Sequence, residues 1–119
     1  MARLSIRIYF DGPAPLGRGK AQLLELVGET GSIRKAAIAM KMSYRRAWLL
    51  LQETEQIFGA PPVETATGGK SGGGAKLTAL GRAIVRHYRA IERKAAEAGA
   101  GDLAALARRA KPQRRRTKP

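Results

Sequence analysis

The chain contains 119 residues, of which 23 are basic and 9 acidic, and it carries a formal net charge of +14. A chain of this length can form one domain with a modest core. The strong positive charge favours a polyanionic partner such as DNA, RNA or an anionic membrane surface. The absence of cysteine excludes disulfides and thiol catalysis, and no stretch approaches the roughly 20 apolar residues that a membrane-spanning helix requires.

Residues 4–10 alternate between apolar and polar side chains, a pattern that predicts a half-buried strand. The apolar face of this strand comprises Leu4, Ile6, Ile8 and Phe10. Two prolines at positions 13 and 15 end it. Because a lone strand is unstable in water, we expect it to pair with a later hairpin or with a partner subunit. The same alternation excludes the apolar run of a signal peptide, so the protein is expected to be soluble and cytoplasmic.

Residues 17–30 show the apolar spacing of an amphipathic helix. We expect this helix to lie across the two that follow and to close the core, which is a structural role. Its predicted buried face consists of Leu23, Leu24 and Val27, with Ala21 and Leu26 beside it.

Residues 31–58 predict two short helices joined by a tight turn. Ser32 and Ser43 are each placed to accept a hydrogen bond from a free N–H in the first turn of a helix. Two capped helices that meet closely predict a helix-turn-helix, whose second helix enters the DNA major groove; a basic helical hairpin in another small α domain is the alternative. The predicted buried faces are Ile33, Ala36, Ala37 and Met40 in the first helix, and Ala47, Leu51, Thr54 and Phe58 in the second.

The charge of this helix pair supports DNA binding. From Thr30 to Gln52 there are five basic residues and no acidic one. We predict that Tyr44, Arg45 and Trp48 face the groove, where Arg45 can make a paired contact to guanine. Tyr44 and Trp48 are expected to contact thymine methyl groups or sugars. For Trp48 the alternative is packing against the first helix or against the hairpin described next.

Residues 63–67 and 75–77 predict two short strands, and the segment GGKSGGG lies between them. A glycine-rich tip between two strands predicts a hairpin, and beside a helix-turn-helix such a hairpin is a wing. Its backbone N–H groups and Lys70 are expected to approach DNA phosphates or the minor groove. A Walker A loop is disfavoured, because the glycine it requires five residues before Gly-Lys-Ser is Glu64 here. A plain flexible linker is the other alternative.

The candidate binding residues fall into two classes. Arg34, Lys35, Arg46 and Lys70 are predicted to neutralise phosphates without reading sequence. With the helix-start and wing positions added, the full DNA-binding set is Arg34, Lys35, Ser43, Tyr44, Arg45, Arg46, Trp48, Lys70 and Ser71. No catalytic or metal site is predicted, because the single histidine and the scattered carboxylates lack ligand spacing. The protein is therefore expected not to be an enzyme, and no cofactor is evident.

Thr78 is placed to cap a last long helix that is expected to end near residue 98. Its side chains Ile84, Tyr88, Ile91 and Ala95 follow the spacing of a coiled-coil seam. The seam either packs on this domain or pairs with a second subunit. Because a helix of about 20 residues extends about 30 Å, longer than so small a core, we predict a homodimer.

The C-terminal residues are strongly basic. Residues 108–119 hold seven of the basic side chains and no acid, which leaves a charge of +7 on the rest of the chain. We therefore predict a domain over residues 1–98 and a basic, largely disordered tail over residues 99–119, with one short helical piece near residues 102–110.

The motifs GSIRKAA, MSYRRAW and VETATGGKSGGGAKLT, followed by LG, resemble the N-terminal DNA-binding domain of the molybdate-dependent regulators called ModE. That domain is related to the winged helix-turn-helix of LysR-type regulators, and the resemblance covers residues 4 to about 95. It implies a mainly α fold with a small β wing and a long C-terminal dimerisation helix. It also implies regulation of genes for molybdate uptake or molybdenum enzymes. The molybdate-binding domains of the family have no counterpart in these residues, so molybdate is implied by the resemblance alone.

These patterns together predict a sequence-specific regulator that binds double-stranded DNA as a homodimer and has no membrane partner. The alternative is a nonspecific nucleoid-associated or RNA-binding protein, which the net charge of +14 and the basic tail also suit. Competition between a chosen site and random DNA separates the two.

Overall fold

The computed structural model describes residues 2–66 and 74–113. Its architecture is mainly helical with a two-stranded antiparallel sheet, so the predicted winged helix-turn-helix with a long C-terminal helix is confirmed. In chain order the elements are α1 Arg18–Thr30, α2 Ile33–Ala39, α3 Tyr44–Phe58, β1 Val63–Ala66, β2 Gly74–Leu77, α4 Ala79–Ala98 and α5 Ala100–Arg109.

The core lies around α1, which packs against α2, α3, α4 and β2. Most residues of the faces predicted for α1, α2 and α3 are buried, because three- and four-residue steps bring side chains onto one side of a helix. Leu26, Met40 and Phe58 are half-buried. The buried residues of α2 and α3 include the small side chains Ala36, Ala37 and Ala47, which favour close approach of the two helices. The buried apolar residues of the helices are Ala21, Leu23, Leu24, Val27, Ile33, Ala36, Ala37, Ala47, Leu51, Ile84 and Tyr88.

Side-chain caps begin three of the helices as the sequence predicts. The Ser32 hydroxyl accepts from the Lys35 N–H at 3.0 Å, and the Ser43 hydroxyl accepts from the Arg46 N–H at 3.0 Å. Thr78 accepts from the N–H of Gly81 at the start of α4. Each cap satisfies a backbone donor that a helix leaves free in its first turn.

The turn between α2 and α3 is tight because one residue adopts a left-handed conformation. Lys41 has φ 57°, a region that residues other than glycine seldom occupy. The Met42 N–H then reaches back to the Ala37 carbonyl at 3.0 Å. This bond turns the chain sharply, so that Ser43 can start α3 against the end of α2.

The N-terminal segment departs from the prediction, since in the described residues it forms no strand of a sheet. Ile8 and Leu16 instead exchange two backbone hydrogen bonds of 2.9 and 2.8 Å as an isolated antiparallel bridge. The segment thus folds back on the residues that follow it, and in the described part of the chain it does not pair with the hairpin. Ile6 and Ile8 are half-buried, whereas Phe10 remains 44% exposed and contacts Phe58 edge-on.

The predicted wing is present at its base. In the β1–β2 register Val63 pairs with Leu77 and Ala66 with Gly74. The sheet is fastened to the helical core by a bond from the Ala75 N–H to the Gly31 carbonyl at 2.9 Å. The tip, residues 67–73, lies outside the described residues, and with it lie the predicted contacts Lys70 and Ser71.

Helix α4 packs on the domain through half of its predicted dimer seam. Ile84 is 5% and Tyr88 1% exposed, and both belong to the core of this same chain. The Tyr88 hydroxyl donates to the Ile6 carbonyl, so it holds the N-terminal segment. Burial and the neighbouring Glu92 carboxylate raise the pKa of Tyr88, which keeps this donor protonated. These two residues therefore stabilise the fold and are unavailable to a second subunit.

An ion-pair cluster ties α4 to α1. The Arg89 guanidinium donates to both carboxylate oxygens of Glu25, at 2.9 and 2.6 Å, and to Glu92 at 2.6 Å. The hydrogen bonds with Glu25 and Glu92 raise the pKa of Arg89. A bidentate arginine–carboxylate pair fixes both distance and angle, so the cluster sets the position of α4 across α1.

Part of the predicted tail is ordered as a helix. Residues 100–109 form α5 directly after Gly99, where the sequence predicts one short helical piece near residues 102–110 within an otherwise disordered tail. Asp102 lies in its first turn and Arg108 and Arg109 in its last, and this arrangement complements the helix dipole. None of the helices in the described part of the chain combines the length and the apolar character needed to cross a bilayer.

Candidate nucleic-acid interface

The face of α3 that points away from the core carries the candidate base-reading side chains. Ala47, Leu51 and Thr54 are buried on the inner side. At 100° per residue, the opposite side of the helix bears Arg45, Leu49 and Gln52, and all three are exposed. A shallow depression along this outer face is lined by Ser43, Arg45, Arg46, Trp48, Leu49 and Gln52.

Three of the predicted residues, Arg34 of α2 and Tyr44 and Trp48 of α3, contact one another in a row near the start of α3. The Arg34 guanidinium carbon lies 4.7 Å from the centre of the Tyr44 ring, a distance at which a cation is attracted to an aromatic face. The edge of Tyr44 meets Trp48, with ring centres 6.2 Å apart. Tyr44 remains 43% exposed, so it is accessible to a ligand while Arg34 and Trp48 contact its ring.

Trp48 lies between the core and the outer face of α3. It is half-buried, packed against the core cluster of α1 and its neighbours, and it also lines the outer depression. Ser43 uses its hydroxyl oxygen as the acceptor of the Arg46 cap, and its hydroxyl hydrogen remains to donate to a phosphate. Both residues therefore contribute to the shape of the interface as well as to its chemistry.

The interface is cationic at one end only. Arg34, Lys35, Arg45 and Arg46 are exposed around the α2–α3 turn, within a stretch that contains no acid. The first acid of α3, Glu53, is engaged at 2.9 Å by Lys20 of α1. The N-terminal half of α3 is thus the part suited to a polyanion.

Lys20 of α1 is a buried basic residue that pairs with Glu53 of α3. It is 7% exposed and donates to the Pro15 carbonyl at 2.8 Å as well as pairing with Glu53. A buried ammonium is tolerated where it is paired and hydrogen-bonded. The pair links the loop before α1 to the second half of α3 and keeps the helix in register with the core.

The base of the wing stands beside the helix pair. Lys76 on β2 and Glu64 on β1 are both exposed and lie 3.9 Å apart, a separation worth little in water. Leu77 covers Gly28 of α1, so the sheet is anchored at its inner end. The wing residues predicted to contact DNA, Lys70 and Ser71, belong to the tip outside the described ranges.

Two outward residues were absent from the sequence-based set: Leu49 and Gln52. The sequence contained the information to identify them. The predicted buried residues Ala47, Leu51 and Thr54 define the inner side of α3, and therefore also its outer side. The sequence-based set was defined mainly by charge and aromatic character, so it did not include Leu49 or Gln52.

Nothing in the described residues suggests metal chemistry. Within residues 2–66 and 74–113, no group of three or more His, Cys, Asp or Glu side chains is placed to hold a metal ion. In the same residues every buried side-chain nitrogen or oxygen has a hydrogen-bond partner. A buried site that awaits a polar ligand would leave such atoms unpaired.

No protein-family model matches the chain. The molybdenum-pterin-binding protein MopB of Rhodobacter capsulatus is 43% identical over 79 residues, which cover 66% of this chain and 29% of MopB. The molybdenum transport protein ModE of Azotobacter vinelandii is 37% identical over 92 residues, 77% of this chain and 33% of the relative. The DNA-binding transcriptional dual regulator ModE of Escherichia coli K12 is 39% identical over 69 residues, 58% and 26%. The chain thus spans a third or less of these relatives.

Solved structures resemble the fold as well. The complex of the CbnR DNA-binding domain with DNA superposes with a TM-score of 0.58 at 25% identity, covering 74% of this chain and 95% of that domain. Full-length CbnR with its target DNA gives a TM-score of 0.56 at 25% identity, covering 73% and 28%. The resemblance drawn from the motifs is confirmed. The named regulators and DNA-binding domains agree with the expectation that the chain is not an enzyme.

Proposed function

We propose that this chain, a homologue of the ModE proteins with a winged helix-turn-helix fold, is a sequence-specific DNA-binding transcriptional regulator. The observation that carries the proposal is the outer face of α3, where exposed side chains able to read bases lie in the acid-free half of the helix. A helix presented in this way fits the major groove, which is about 12 Å wide.

Each residue of the interface has a proposed role. Arg45 donates a paired contact to guanine N7 and O6. Tyr44 and Trp48 contact sugars or thymine methyl groups beside it, and Arg34 holds the Tyr44 ring while its outer N–H groups meet a phosphate. Arg46 and Lys35 neutralise phosphates, as do Lys70 and Ser71 from the wing tip.

The proposed regulator acts as a homodimer, with one α3 for each half-site. Since Ile84 and Tyr88 belong to the core, the surface left for a second copy lies farther along the chain. Ile91 on α4 is 43% exposed and Leu106 on α5 is 65% exposed, and Ala95 is half-buried between them in sequence. Apolar side chains of this size gain about 1.5–3 kcal/mol each on full burial, which favours pairing through these helices.

The dimer has a direct test in Leu106→Glu. We expect the charged side chain to raise the dimer dissociation constant at least tenfold, because it removes apolar burial and introduces like charges across a two-fold axis. Sedimentation equilibrium measures this, with Tyr9→Glu as the matched control, since Tyr9 is 64% exposed on the N-terminal loop. A wild-type monomer, or a Leu106→Glu dimer as tight as wild type, would contradict the proposed surface.

Sequence specificity is tested by competition. A duplex selected by the protein from a random library should be preferred about 10³-fold or more over random DNA at physiological salt. Fluorescence anisotropy with unlabelled competitor measures the ratio. A preference below about tenfold would favour the second candidate, a nonspecific nucleoid-associated or RNA-binding protein, which the net charge of +14 supports.

The names of the relatives also favour a regulatory target linked to molybdenum, such as genes for molybdate transport. Binding of molybdate itself is a different matter. The described residues hold no buried side-chain nitrogen or oxygen that lacks a partner and awaits an oxyanion such as molybdate. The proposal therefore assigns DNA recognition to these residues and no oxyanion sensing.

A further inference from the structure

We infer that Leu49 and Gln52 are specificity-determining residues. Leu49 contacts the methyl group of a thymine, and Gln52 pairs with an adenine about three base pairs from the guanine that Arg45 reads. The inference rests on the proposed function, because it requires α3 to lie in the major groove.

The positions of the three side chains match the spacing of stacked bases. Arg45, Leu49 and Gln52 follow one another by four and three residues, so they share one side of α3. At 1.5 Å of rise per residue, Arg45 and Gln52 are about 10.5 Å apart along the axis. Base pairs repeat about every 3.4 Å along each strand, so the row spans about three of them, with Leu49 over the middle.

Leu49 is an aliphatic residue exposed beside the basic side chains Arg45 and Arg46. It is 46% exposed and lines the same depression as Arg45 and Trp48. The thymine methyl is the apolar group that the major groove presents, and apolar side chains are its partners. Leu49 would become buried against such a methyl group when DNA binds, and this explains why a leucine is exposed at this position.

Gln52 supplies the amide chemistry that adenine recognition requires. It is exposed and lines the depression, and a glutamine can donate to adenine N7 and accept from its N6 amino group. Beyond it the helix becomes acidic, with Glu55 exposed one turn from Leu51. A carboxylate near phosphates is repelled, and the depression along α3 also ends at Gln52.

The test exchanges one base preference for another. Glutamate accepts from the cytosine amino group where glutamine pairs with adenine, so Gln52→Glu is expected to change one position of the selected site from A·T to C·G by about tenfold or more. Selection from a duplex library, followed by anisotropy titrations, measures the preference at every position. Leu49→Ala should lower the preference for thymine at the adjacent position several-fold.

Gln22→Glu is the matched control for charge. Gln22 is exposed on α1, one turn from Glu25, whose carboxylate pairs with α4, so this variant should lower affinity without changing any base preference. If the wild type selects no site, both the proposed function and this inference fail. If the wild type selects a site and Gln52→Glu keeps the same preference at every position, the inference alone is overturned. Circular dichroism verifies that each variant is folded.

Discussion

Gly81→Ala is expected to destabilise the domain by about 3 kcal/mol, near the upper end for overpacking a well-packed site. Gly81 lies in the first turn of α4, where the helix meets the chain just before β1. A Cβ at this position would overlap the Pro62 carbonyl oxygen and would lie 3.2 Å from the Pro62 carbonyl carbon. Both atoms are backbone, so the clash cannot be relieved by rotation of a side chain.

The surroundings of Gly81 resist movement. The same Pro62 oxygen accepts from the Thr78 N–H at 3.0 Å, and the Thr78 hydroxyl donates to Pro61. Separating α4 from this segment breaks these bonds and displaces the base of the wing. Urea unfolding followed by circular dichroism measures the loss of stability.

Gly19→Ala is the matched control for Gly81→Ala. Gly19 lies in the first turn of α1, and a Cβ there would meet open space. Alanine lowers the entropy of the unfolded chain, so this variant should be stabilised by up to about 1 kcal/mol. A Gly81→Ala protein as stable as wild type would show that α4 and the wing base do not pack in the way described.

Arg45→Ala is expected to remove about 1–3 kcal/mol of discrimination at one base position of each half-site. Arg45 is exposed in the first turn of α3, on its outer face, and lines the depression that Leu49 and Gln52 also line. Its guanidinium can donate two hydrogen bonds in the plane of a guanine edge. The loss should be confined to sequences with the preferred base, so sites that differ there become nearly equal in affinity.

Arg46→Ala serves as the control for loss of charge. Arg46 is the next residue, and we propose that it contacts phosphate, so its removal should weaken all sequences alike and reduce the salt slope by about one. Anisotropy titrations at several salt concentrations, with each base of the site changed in turn, separate the two behaviours. If Arg45→Ala weakens all sequences equally with a shallower salt slope, Arg45 contacts phosphate and the assignment is wrong.

The prediction of the N-terminal strand was wrong for a general reason. Alternation identifies an extended segment with one buried side, but it does not identify the backbone that satisfies its hydrogen bonds. Ile8 finds its partner in Leu16 only eight residues later, and the Ile6 carbonyl is satisfied by the Tyr88 hydroxyl. The second of these partners is 82 residues away in the chain, beyond the reach of any local pattern.

Local chemistry in the sequence determined the helices of the DNA-binding unit. The caps at Ser32 and Ser43 and the small buried residues Ala36, Ala37 and Ala47 act over three or four residues, so their consequences can be predicted without knowledge of the rest of the chain.

Tertiary structure alone decided which neighbour each apolar face meets. Ile84, Tyr88 and Ile91 lie on one stripe of α4, yet the first two complete the core of the domain and the third is 43% exposed. Helical periodicity requires that such a stripe be covered, but it contains no information on whether the covering surface comes from the same chain or from another. That choice depends on where α1 and the N-terminal segment end in space.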